Sequence, residues 1–164
     1  MMRAYLTTIM LAGGLVMAAG CSEADTDVAA TYMEVCTASS GGDSALEASC
    51  AIIPATIEKF ITDPNEQRGA YALITARTFY SAGPEAREAS WRIFIDRYGV
   101  DESYFDPETH RIVGGQFNEL LEAMYQGAGI DYGGDRKAFR DTVEAKLNSE
   151  EARAFIEEQS KAMM

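Results

Sequence analysis

Asp63-Pro64-Asn65-Glu66-Gln67-Arg68-Gly69-Ala70-Tyr71-Ala72-Leu73-Ile74-Thr75-Ala76-Arg77-Thr78-Phe79-Tyr80 is the stretch that decides the fold. Asp63 is a capping residue, and Pro64 at the first helical position gives up an N–H that would be unpaired there anyway. Glu66 adds an acid to a first turn whose dipole favours negative charge. Beyond them, Ala-Tyr-Ala-Leu-Ile-Thr-Ala is apolar on most sides of a 3.6-residue period. A helix of that kind must be contacted by several neighbours, so a mainly α domain with this helix near its centre is expected.

Working outward, the flanking segments supply those neighbours. Thr26 or Asp27 can cap a helix with Val28, Tyr32, Val35 and Cys36 on one face, broken by Ser39-Ser40-Gly41-Gly42-Asp43. Ser44 with Glu47 three residues on is a capping box for a second helix. Leu46, Cys50, Ile53, Ile57, Phe60 and Ile61 form its apolar stripe, and Pro54 is expected to kink it with the stripe preserved. Gly83-Pro84 opens a helix carrying Trp91, Phe94, Ile95 and Tyr98, and Gly99 stops it.

Residues 104–113 favour a small β-hairpin or an irregular loop over a helix capped at Asp106, with Tyr104-Phe105 and Ile112-Val113 flanking an Asp106-Pro107 turn. Gly114-Gly115 then punctuates a helix with Phe117, Leu120, Leu121 and Met124. Glycines from Gly127 to Gly134 read as turns. Asp135 caps a helix bearing Phe139, Val143 and Leu147, and Ser149 caps a last one bearing Ala152, Phe155 and Ile156. The expected architecture is a compact bundle of six or seven amphipathic helices.

The N-terminus carries a different message. Arg3 precedes a twelve-residue apolar run, Leu6–Met17, which ends in Ala18-Ala19-Gly20-Cys21. That is the pattern of a secretory signal, and the run is too short to span a bilayer. Small residues directly before Cys21 resemble the lipobox of bacterial lipoproteins, with Ala18 standing where Leu is usual. The resemblance covers residues 1–21 alone. It implies a signal peptide over 1–20, acylation (palmitate among the acyl groups) of Cys21, and a mature chain held on the bilayer. Ser22 after the cysteine implies passage to the outer membrane, facing the periplasm, in a Gram-negative cell. Residues 21–27 are then an acidic tether of at most roughly 20 Å, and 28–164 a single helical domain.

With Cys21 assigned to lipid, Cys36 and Cys50 remain in an oxidising compartment on the apolar faces of consecutive helices. A helical hairpin would bring them together as a disulfide, closing a loop of about 15 residues for about 3 kcal/mol. Redox catalysis fits poorly, since it calls for an exposed activated thiol, often in Cys-x-x-Cys.

The chain has 164 residues, 47% of them hydrophobic, and a formal charge of −12 with pI near 4.4. Removing residues 1–20 takes away Arg3 and no acid, leaving −13. With 14 Lys and Arg against 26 Asp and Glu, the chain has no basic excess to replace phosphate counterions, which argues against nucleic acid as a partner. It is also repelled by anionic lipid. His-Glu-x-x-His, Gly-x-Ser-x-Gly and the Walker A loop do not occur. Gly127-x-Gly129-x-x-x-Gly133 misses the dinucleotide fingerprint by one position.

His110 is the one imidazole, which rules out multi-His metal sites and His-dependent triads within a chain. With Asp101, Asp106 and Glu108 it forms a weak candidate cation site, for which turn chemistry is the simpler explanation. No cofactor is expected. A non-catalytic module that binds an envelope protein is the leading functional expectation. A binder of a small apolar or peptidic ligand follows, then a carboxylate-dependent cell-wall hydrolase.

Overall fold

The computed structural model describes residues 27–109, 111–113 and 117–163. Its helices are α1 (Val28–Ser39), α2 (Ser44–Ser49), α3 (Ile52–Phe60), α4 (Pro64–Ser81), α5 (Pro84–Tyr98), α6 (Phe117–Gly127), α7 (Arg136–Leu147) and α8 (Glu150–Ala162). Helices α2 and α3 are the two halves of one expected helix, so the bundle is mainly α as the sequence indicates. A two-stranded antiparallel hairpin, β1 (Phe105–Asp106) with β2 (Arg111–Ile112), pairs Phe105 with Ile112 and Asp106 with Arg111.

Helix α4 lies at the centre and packs against α1, α3, α5, α6 and α7. Its Ala70, Ala72, Leu73, Ala76 and Phe79 are fully buried. Asp63 caps it as expected, accepting the Glu66 N–H at 2.8 Å. Asp27 caps α1, Asp135 caps α7 and Ser149 caps α8 in the same manner. The hairpin serves the core through one ring. Phe105 meets Phe79 at 5.2 Å and Phe94 at 5.6 Å between centroids, both edge-on.

Two local expectations are corrected. Asp43, not Ser44, caps α2, because its carboxylate accepts both the Ala45 and Leu46 N–H groups. An ionised acceptor outbids a hydroxyl for those donors, and the capping box does not form. The kink expected at Pro54 is a break at Cys50–Ala51, four residues earlier. The Pro54 ring clashes with the carbonyl of residue i−4, which is Cys50, so the helix restarts with Pro54 inside its first turn. The stripe is therefore not preserved: Cys50 is buried, but Leu46 is 53% exposed.

The tightest backbone approach is between α5 and α6. A Cβ on Gly127 would lie 1.9 Å from the Tyr98 carbonyl oxygen, while one on Gly69 would lie 2.4 Å from the tip of the Phe139 ring. Backbone cannot move aside as a half-buried ring can. Gly127→Ala is expected to destabilise the protein by about 3 kcal/mol, and Gly69→Ala by about 1 kcal/mol. Urea denaturation of the two variants checks the order.

Burial also sets the response to alkali. It pushes the Tyr32 phenol up from 10.0 to about 12, helped by Tyr71, and raises Tyr98 and Tyr125 further still. These protons are held more tightly in the folded than in the unfolded chain. The contribution is fully present below pH 10 and is lost as pH rises through the folded values. Urea stability should be flat from pH 8 to about 10 and fall above it. The tyrosinate absorbance of these three rings should appear together with unfolding, not before it.

Candidate functional site

The direction of α1 relative to α4 organises the surface. The Tyr32 ring of α1 lies tilted beside that of Tyr71 of α4 at 6.1 Å between centroids, and one turn on, Cys36 shares a cleft with Thr78, Ser81 and Ala82. The two helices therefore run parallel. Asp27 leaves the bundle toward the end where α4 begins, and the cleft lies at the opposite end, one α1 length (about 18 Å) away.

That cleft measures about 220 Å³ and opens to solvent, with Leu46 and Ser49 of the α2 segment forming one wall. It exists because the break before Pro54 turns Leu46 out of the core. Cys36 on its lining is joined to Cys50 by a disulfide, with Cα atoms 5.9 Å apart. Cys36 is half-buried and Cys50 is 1% exposed. The buried Tyr32 hydroxyl donates to Cys36 Sγ at 3.5 Å. The Ser39 hydroxyl on the cleft wall is closed off from solvent and has no hydrogen-bond partner among the described residues. Near the same end of α4, Tyr80, 51% exposed, sits edge-on to Phe117.

A second, acidic groove of about 480 Å³ lies where α4 and α7 begin. Its carboxylates are engaged in holding the fold. Asp63 and Asp135 cap their helices, Asp131 accepts the Gly133 N–H, and Glu66 pairs with Lys146. Asn65 clamps the loop beside them. Its amide donates to the Asp131 carbonyl at 2.5 Å and accepts the Asp131 N–H at 3.0 Å, as a strand neighbour would.

The weak cation candidates do not converge. Asp101 accepts the Ser103 N–H, and hydrogen bonds from Ser103 hold its carboxyl below the usual range. Asp106 accepts the Glu108 and Thr109 N–H groups in the hairpin turn, which leaves Glu108 exposed. His110 and Cys21 lie outside the described residues. Among the described residues, no three His, Cys, Asp or Glu side chains are grouped to hold a metal ion. No described helix is long and apolar enough to cross a membrane.

Sequence reasoning missed a charged ladder between α4, α6 and α7. Arg77 and Arg140 both reach Glu144, Arg140 also bonds Asn118, and Arg136 pairs with Glu122 at 2.9 Å. Partners up to 67 residues apart leave no local signature. Compared with protein-family models, with curated proteins and with solved structures, the chain matches none.

The cleft and the clamp differ in what they do for stability. Leu46→Ser should change urea stability by less than about 0.5 kcal/mol, since Leu46 packs little. Asn65→Ala should cost about 1 kcal/mol and speed amide exchange at Asp131.

Proposed function

We propose that this chain is a lipoprotein anchored in a bacterial cell envelope through acylated Cys21. Its domain, residues 28–164, is a non-catalytic module that docks an envelope protein at the cleft between α1, α2 and α4. In a Gram-negative cell it sits on the outer membrane and faces the periplasm.

The observation that carries this reading is the placement of the cleft at the end of α1 opposite Asp27. A tether over residues 21–27 reaches at most roughly 20 Å, so the domain stays near the lipid with its exposed apolar surface turned outward. Exposed Leu46 and Tyr80 offer apolar contact. The overall charge favours a partner that is basic around its apolar contact residues.

Neither alternative draws the same support. The apolar cleft is smaller than the range of about 300–1,000 Å³ usual for small-molecule pockets. The acids of the larger groove are engaged with backbone amides and Lys146, an arrangement that suits a structural role better than proton transfer.

Cells grown with labelled palmitate should yield a labelled chain in the membrane fraction, and Cys21→Ser should lose the label and leave that fraction. A photoreactive residue at position 46 should give one discrete crosslinked product in intact envelopes, while the same residue at Glu157 on α8 should give none. An unlabelled wild-type chain would overturn the anchor. Equal, diffuse crosslinking at both positions would overturn the docking face.

A further inference from the structure

We propose that the Cys36–Cys50 disulfide is a thiol–disulfide exchange site, attacked at Cys36 Sγ by a dithiol reductant, whose opening releases α2 and removes one wall of the distal cleft. The proposal rests on the reading of an exported chain, because an oxidising compartment is what keeps the bridge closed at rest.

Three observations carry it. First, the bridge holds a segment that the core does not. No residue of α2 is buried, and residues 41–48 are all exposed. The hydrogen bonds of this segment are local: the Asp43 cap, and Ser40 Oγ to Glu47 at 3.4 Å within the same loop. The two halves of the bridge also differ in their support. Cys36 belongs to α1, which is packed on α4 and α5, whereas Cys50 follows α2 at the break before Pro54. A segment with so few buried contacts is drawn from the low end of local stability.

Second, the two half-cystine residues are unequally exposed, Cys36 being half-buried and Cys50 buried. Cys36 lines the open cleft, while Cys50 is 1% exposed. Exchange depends on which sulfur a thiolate can reach, so the cleft directs the attack to Cys36.

Third, the surroundings suit the products. Cys50 Sγ lies 3.5 Å from the Leu46 carbonyl oxygen, a contact that becomes a hydrogen bond when the sulfur carries a proton. The Tyr32 hydroxyl already donates to Cys36 Sγ and can keep doing so when that sulfur is released.

The chemistry balances with one dithiol. Its thiolate attacks Cys36 Sγ and forms a mixed disulfide there. The Sγ–Sγ bond breaks, and its electron pair goes to Cys50, which takes a proton. The second thiol of the reductant then attacks its partner sulfur in the mixed disulfide. This releases Cys36 as a thiol and leaves the reductant as a disulfide. Two electrons and two protons pass to the protein, and the reverse exchange recloses the bridge. Cleavage leaves Leu46 and Ser49 on an unanchored segment, so docking at the cleft is expected in the oxidised state and lost in the reduced one.

The test uses the purified full-length chain in detergent, with dithiothreitol as reductant and a Glu-specific protease as reporter. On reduction, cleavage after Glu47 should accelerate by at least about tenfold. Sites within α4, α5 and α7 should stay uncut, and the near-ultraviolet signal of the aromatic core should be retained. The Cys36→Ser/Cys50→Ser double variant should behave this way without reductant. A brief pulse of glutathione, quenched with acid, should leave the adduct on Cys36. Unchanged cleavage at Glu47 would overturn the latch, and so would loss of the aromatic signal, which would make the bridge a staple of the whole fold. An adduct mainly on Cys50 would overturn the direction of attack. These readouts need neither the lipid nor a partner, so their failure is separate from a failure of palmitate labelling or of crosslinking at position 46.

Discussion

A helix buried on nearly every side imposes a condition on everything around it. In α4 the buried positions include Gly69, Ala70, Tyr71, Ala72, Leu73, Thr75, Ala76 and Phe79, which leaves no wide polar face. Its backbone groups are satisfied within the helix, so the remaining requirement is apolar contact all round. Five helices meet that requirement. The small residues Gly69, Ala70, Ala72 and Ala76 let neighbours approach closely, and Leu73 and Phe79 fill the space between them. Each such large side chain, fully buried, contributes about 1.5–3 kcal/mol. The hairpin is recruited to the same task, since Phe105 completes the ring cluster around Phe79 and Phe94.

What was legible in the sequence was what is local. Asp63, Asp135 and Ser149 cap as read, because a cap needs only its own side chain and an N–H three residues on. The hairpin at 105–112 was legible for the same reason, its turn being built by Asp106 on the next few amides. Where two local signals competed, the reading failed. Asp43 and Ser44 are both good caps, and the outcome turned on a carboxylate accepting two amides instead of one. Pro54 announced a disturbance in the helix, but the clash falls on the carbonyl of Cys50, so the break comes before the proline.

The cleft was out of reach for a different reason. It joins Cys36 and Ser39 to Thr78 and Ser81, residues about forty positions apart, and it depends on Leu46 being where the periodicity did not put it. The Asn65 clamp on Asp131 spans 66 positions and consists of two hydrogen bonds that any polar side chain might have made elsewhere. Such features follow from the packing order of helices, which periodicity does not encode. The disulfide lies between these cases. Its partners could be paired by elimination and by their faces, and the bond is present. That one of its two cysteines, Cys36, lines an exposed cleft could not be read.

One mutually consistent arrangement links the break, the bridge and the cleft. Pro54 ends the continuity of the helix at Cys50, so α2 can leave the core. Leaving exposes Leu46 and forfeits the burial that would otherwise hold the segment. A covalent bond then does what packing does elsewhere in the chain, and it holds the segment at a cost in permanence, because a disulfide with a half-buried cysteine on an open cleft is chemically reversible where a packed side chain is not. Had the stripe of Leu46, Cys50, Ile53 and Ile57 stayed continuous, the second helix would have been anchored along its whole length. The bridge would then have been redundant as a clasp, and the end of the bundle farthest from Asp27 would have presented no cleft. The same proline that interrupts a helix thus sets the conditions under which a redox bond can govern a surface.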